Sequence, residues 1–245
     1  MNVLLETRKL RKTFGGIRAV DDASLVFRSG EITAVIGPNG SGKTTLIDAI
    51  TGLVPFESGA IIVGDSFEMK NIRSARIAGY GITRTFQKAR LVEQISVLDN
   101  VLLALATRPV FHALFERPSK PSLSTAESIL KKIGLWEKRA INAELLSYGQ
   151  RKLLEIARAV AMNARVYFFD EPFAGLFTET KKNVSDILTG LARSGAAVVL
   201  VEHNMEIVRS LADTVYVLDG GKVIAEGSPV NVLAETAVVD AYLGK

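Results

Sequence analysis

A chain of 245 residues is long enough to bury a sizeable core, as one large domain or two small ones. Its composition is 48% hydrophobic, 23% charged and 7% aromatic, ordinary for a globular protein, and with no cysteine it forms no disulfide, which fits a reducing cytoplasm. The formal charge of +4, without a long Lys/Arg cluster, argues against a nucleic-acid binder.

The opening MNVLLETRKLRK reaches charge by Glu6 and Arg8 and lacks the apolar stretch of a signal peptide. No apolar run approaches the roughly 18 residues of a membrane span, so the chain is expected to be soluble and to meet a membrane only through a partner. Ile32 to Ile36 reads as a β-branched strand, and Lys43 to Ile50 as the helix after it. From about Val97 to Ala161 the pattern is helical. It is broken by TRPVFHALFERPSKPSL, whose prolines predict a surface excursion. Ser124 and Glu127 have capping-box spacing and predict a helix from there through Ile133. Val166 to Phe169 predicts a second buried strand and Ala197 to Val201 a third. Between them, Thr178 to Arg193 places Val184, Ile187, Leu188 and Leu191 on one helical face. TVYVLDGGKVIAEG predicts a hairpin at Gly220 and Gly221, and Ser228-Pro229 a helix start. Apolar strands alternating with amphipathic helices predict an α/β fold with a mostly parallel sheet.

Gly37, Pro38, Asn39, Gly40, Ser41, Gly42, Lys43, Thr44 and Thr45 read GPNGSGKTT and match the Walker A pattern GxxxxGK[ST]. Glycines let the backbone turn its N–H groups onto phosphate oxygens, and the helix that follows adds its positive end. Lys43 is suited to the β and γ phosphates and Thr44 to Mg2+. The run Val166 to Glu171, VYFFDE, is an apolar strand ending in two carboxylates. Asp170 there is suited to Mg2+, and Glu171 to polarising an attacking water.

Leu146 to Gln150, LSYGQ, resembles the LSGGQ signature of ABC-type ATPases and is followed by the expected helix RKLLEIARAVA. The resemblance implies a P-loop NTPase of ABC type over about 4–245. Its mostly parallel core sheet is joined by an antiparallel β subdomain, with a helical subdomain inserted at about 88–162. It implies ATP and Mg2+ as ligands. Ser147, Gly149 and Gln150 would bind the ATP held by a second subunit, related or identical. Phe14 falls where the family stacks an aromatic on adenine, Gln87 matches the Q-loop glutamine that reaches Mg2+ and the lytic water, and His203 matches the switch histidine beside Glu171. His112 has no such match. The chain departs from the family at Tyr148, in place of the first signature glycine. It departs again at Phe177, where the D-loop AGLF ends without a polar residue, which predicts altered communication between the two sites.

Within the family, FGGIRAVDDASL, GITRTFQKARL, LSYGQRKLLEIARA and the terminal AYLGK resemble the branched-chain amino-acid uptake group. Such a subunit would lie peripherally on the cytoplasmic face of the inner membrane. It would act on two transmembrane permeases and, through them, a periplasmic binding protein, with no nucleic acid involved. Urea or short-amide importers and a lipopolysaccharide exporter share much of this pattern, and a nucleotide-dependent scaffold remains an alternative.

Overall fold

The computed structural model describes residues 2–64, 67–69, 73–87, 89–106 and 118–243. In chain order these give β1 (Val3–Phe14), β2 (Ile17–Arg28), β3 (Ile32–Ile36), α1 (Lys43–Ile50), β4 (Ser58–Val63), β5 (Phe67–Met69) and β6 (Ile82–Arg84). Three helices follow: α2 (Val97–Leu105), α3 (Lys120–Lys132) and α4 (Tyr148–Ala161). Then come β7 (Val166–Asp170), α5 (Thr178–Arg193), β8 (Ala197–Val201), α6 (Met205–Leu211), the hairpin β9 (Thr214–Asp219) and β10 (Lys222–Gly227), α7 (Pro229–Val232) and α8 (Thr236–Leu243).

The chain divides into two compact units. The first comprises residues 1–84, 165–171 and 188–245, and the second residues 85–164 and 172–187. In the first unit, one antiparallel sheet has the order β2-β1-β4-β5 and a second, mixed sheet the order β10-β9-β3-β8-β7-β6. In the mixed sheet only the β9–β10 pair is antiparallel. Strands β3, β7 and β8 are buried at every position, as expected of continuous apolar runs covered on both faces. Alternation sorts them. Val35, Phe168, Val199 and Val201 face a core with Leu46, Ile47 and Ile50 of α1 and with Leu5, Leu25 and Phe27 of the antiparallel sheet. Ala34, Ile36, Val215 and Val217 face Val208, Val232 and Val238 on the other side. All the parallel strands therefore end at one edge, where connecting loops in such sheets carry ligand chemistry.

The second unit is helical, with α2, α3 and α4 packed on one another. Here the structure corrects one expectation. Helix α3 begins at Lys120, with Ser119 as its cap accepting from the Ser122 N–H, so Ser124 lies inside the helix. The earlier start is stable because Pro121 sits in the first turn, where its missing N–H costs nothing and its fixed φ suits a helix. Most of the expected excursion, His112 included, lies outside the described residues.

Candidate functional site

The edge of the mixed sheet delivers the phosphate loop. Strand β3 ends at Ile36 and the chain turns through Gly37, Gly40 and Gly42, at φ of 149°, 80° and 102°. A Cβ on Gly37 would run into the Leu218 carbonyl, and one on Gly42 into the Ala19 carbonyl, so both positions exclude any side chain. Helix α1 then starts from Gly42 with no side-chain cap and no acidic residue in its first turn. Such a start leaves its amide donors and positive end to an outside anion.

The loop is also clamped from behind. The Gly221 N–H at the hairpin tip donates to the Ser41 carbonyl at 3.0 Å, and the Asp21 N–H on β2 donates to the Gly221 carbonyl at 2.8 Å. A Cβ on Gly221 would stand 2.7 Å from the Arg18 carbonyl oxygen. Burial pushes the pKa of the Tyr242 hydroxyl on α8 up to about 12, against the opposing effect of the nearby Gly37 amide.

Within this cradle the Lys43 ammonium donates to the carbonyls of Gly37 at 2.7 Å and Pro38 at 2.9 Å. Burial lowers its pKa, against the pull of Glu171 and Asp170. Those carboxylates stand at the tip of β7, which the stacked rings of buried Tyr167 and Phe169, 5.9 Å between centroids, hold in place. Glu171 adopts φ of 47°, in the left-handed region that a side-chain-bearing residue occupies only under constraint. Its N–H donates to the Val201 carbonyl at 2.9 Å. His203, just beyond β8, places Nδ1 3.6 Å from Glu171 Oε1, close enough to restrain the carboxylate and too long for a hydrogen bond. Lys43, Asp170, Glu171 and His203 are thus brought to one place from widely separated parts of the sequence. Thr44 is exposed on the first turn of α1, and Phe14 is exposed at the end of β1, with Lys12 Nζ 5.0 Å from its ring centre.

One residue of this site escaped sequence reasoning. Arg84 on β6, its side chain only 3% exposed, bridges the Asp48 carboxylate of α1 and Asp170 Oδ2, the latter at 3.3 Å. It also donates to the Thr51 hydroxyl at 3.2 Å. The signal was present: a cation at the end of a short strand whose two preceding residues are buried, three positions before Gln87.

The second unit carries the remaining candidates. Ser147 caps α4, accepting from the Gln150 N–H at 3.4 Å, while Gln150 Oε1 accepts from the Ser147 N–H at 3.1 Å. S-x-x-Q is the capping-box pattern and could have been read in advance. Tyr148 lies against the D-loop, since a Cβ on Gly175 would meet its ring at 2.9 Å. Gly149 approaches the Gly175 carbonyl and Leu176. Phe177 is 86% exposed and Gln87 is exposed.

The family model described as ABC transporter matches residues 20–174. This chain belongs to the ABC transporter family. The cassette is 34% identical to the high-affinity branched-chain amino acid transport ATP-binding protein LivG of Salmonella typhimurium, over 99% of the chain and 98% of that protein. It is 36% identical to the probable branched-chain amino acid transport ATP-binding protein LivG of Archaeoglobus fulgidus, over 98% and 95%. Among solved structures, a nucleotide-free ATP-binding cassette from an ABC transporter matches with a TM-score of 0.86, at 32% identity and over 100% of both chains. The ADP conformation of an ATP-binding cassette of an ABC transporter matches with the same score, identity and coverage. The α/β architecture expected from the sequence, with an antiparallel sheet beside a mostly parallel one, is therefore that of the family. Among the described residues no helix is long and apolar enough to cross a membrane.

Proposed function

We propose that this cassette binds and hydrolyses ATP to drive an ABC importer, with branched-chain or hydrophobic amino acids as cargo. The observation that carries the reading is the cradle of Gly37 to Thr45, whose uncapped helix and Lys43 ammonium face the Asp170 and Glu171 carboxylates. Full-length similarity to the LivG proteins supports the cargo class.

Triphosphate oxygens replace the Gly37 and Pro38 carbonyls as partners of Lys43, exchanging neutral acceptors for charged ones and roughly doubling the strength of each bond. The Thr44 hydroxyl and the Asp170 carboxylate, with Gln87, are the residues that would hold Mg2+. They are hard oxygen donors, and among the described residues no cluster of three His, Cys, Asp or Glu could form an all-protein cage. Such a donor set suits an ion that shares its shell with phosphates and water. Bound there, Mg2+ would supply positive charge to offset the charge that develops on the phosphate. Glu171, set by its constrained backbone and restrained by His203, polarises the attacking water. Ser147, Gly149 and Gln150 serve the nucleotide of a second cassette, so that two chains, identical or related, close on two ATP molecules. Phe14 stacks on the adenine.

The cassette, working as one domain over 4–245 with a helical subdomain at about 88–162, would sit on the cytoplasmic face of the inner membrane. Two permeases and, indirectly, a periplasmic binding protein would complete the transporter. Two measurements test this. Glu171→Gln should keep ATP affinity within about twofold, cut turnover by about a thousandfold and accumulate as a dimer. Full turnover in that variant would remove Glu171 from its role. Vesicles carrying the assembled transporter should take up leucine in preference to urea, and the reverse preference would reassign the cargo.

A further inference from the structure

The loop after β6 carries Gln87 and is held to a degree that its sequence does not suggest. Three side chains of α4, at positions 152, 155 and 158, grip its backbone along one helical face. Glu155, only 6% exposed, accepts from the Phe86 N–H at 2.8 Å. Lys152, only 2% exposed, reaches the carbonyls of Phe86 and Gln87, both at 3.4 Å. Arg158 donates to the Arg90 carbonyl, and the Arg90 guanidinium lies over the Phe86 ring at 3.8 Å, closing the loop on itself. Burial raises the Glu155 pKa and lowers that of Arg158, while the Phe86 and Arg90 amides and the charge of Lys152 counter the rise at Glu155. Two buried ionic groups of opposite charge that spend their hydrogen bonds on main-chain atoms are a poor way to gain stability, because desolvation offsets most of the attraction. They are a good way to fix a backbone segment.

The same helix begins at Ser147. We propose that Lys152, Glu155 and Arg158 form a backbone clamp that makes the Gln87 loop and the signature loop move as one body, with Glu155 as its positioning residue. This rests on the reading that Gln87 and Ser147 serve ATP chemistry. Removing the clamp would leave nucleotide affinity in place and spoil the alignment needed for the chemical step, where small displacements are costly.

The absence of natural cysteine allows a spin label at a single introduced site, Ala89→Cys, in the full chain. Glu155→Ala leaves Lys152 buried with its anionic partner removed and risks unfolding. Lys152→Met combined with Glu155→Leu removes both charges at similar volume and is the informative variant. We expect the label to become mobile in that variant, with kcat lowered about tenfold and KM for ATP within about twofold. Lys152→Met combined with Glu155→Gln keeps an oxygen for the Phe86 amide without stranding the Lys152 charge and should retain both the immobile spectrum and turnover. An immobile label in the Lys152→Met, Glu155→Leu variant overturns the clamp. A mobile label with unchanged kcat overturns its part in the chemistry. Gln87→Ala with full ATPase activity would remove the functional premise while leaving the label's response to report the clamp, so the two failures are distinguishable.

Discussion

Two helices of this chain begin at sequence motifs associated with phosphate, and they begin in opposite ways. Helix α1 starts from Gly42 in a left-handed conformation, without a side-chain cap. Helix α4 starts from Ser147 with a complete capping box. Both lack an acidic residue in the first turn, so each leaves its positive end to an external anion. The difference lies in what must move. The first site is preformed, because contacts with Ala19, Leu218 and Gly221 fix its backbone, and only the Lys43 ammonium has to change partners. In the second, the Ser147 hydroxyl oxygen already accepts from the Gln150 N–H, and only its hydrogen has to swing onto a phosphate oxygen. A preformed cradle favours ground-state binding, whereas the capped start, on the proposed function, keeps its cap and adds a donor when a second subunit brings the phosphate.

The contrast between the two helix starts is tested most severely at Lys43. Lys43→Ala should lower ATP turnover by about a thousandfold, since charge stabilisation carries much of phosphoryl transfer, while leaving the fold nearly as stable. A steady-state ATPase assay beside a urea melt checks both halves. An equal loss of stability would mean that Lys43 holds the loop rather than awaits the ligand.

Arg84→Met removes the cation shared by Asp48 and Asp170 and should cost about 3 kcal/mol of stability, because two partly buried carboxylates lose a common partner. Urea melts with and without Mg2+ and nucleotide would show whether a bound cation recovers part of that loss. No recovery would separate Arg84 from the Mg2+ site.

Ser147→Ala should destabilise the second unit by about 1 kcal/mol, the usual worth of a serine cap. A loss of turnover much larger than that destabilisation explains would show that the hydroxyl acts on phosphate as well as on its own helix. The smallest effect is expected at Phe177, exposed beyond the D-loop turn that Tyr148 packs against. Phe177→Asn should change the cooperativity of turnover with ATP concentration by less than about twofold in the Hill slope. Identical curves for variant and wild type would leave backbone contacts as sufficient there.

The positions of strand and helix were legible wherever a local pattern decided them. Ile32–Ile36, Lys43–Ile50, Thr178–Arg193 and Ala197–Val201 stand at the boundaries their apolar periodicity predicts. The miss at α3 arose from two competing caps of the same chemistry, Ser119 and Ser124. The choice fell to Ser119, helped by Pro121, which is tolerated only in a first turn.

For the site, motif spacing by itself placed the residues of a glycine-rich turn between a buried strand and a helix, a backbone that can present its amides in few ways. It determined nothing about the contacts that hold those residues in place. Arg84 on Asp170, Gly221 on Ser41 and Glu155 on the Phe86 amide each join residues separated by at least 69 positions in the chain. A charge or glycine carries no mark of the partner that folding will bring to it. Only the tertiary structure decided these pairings, because they depend on which strand lies beside which and on how far a buried side chain reaches.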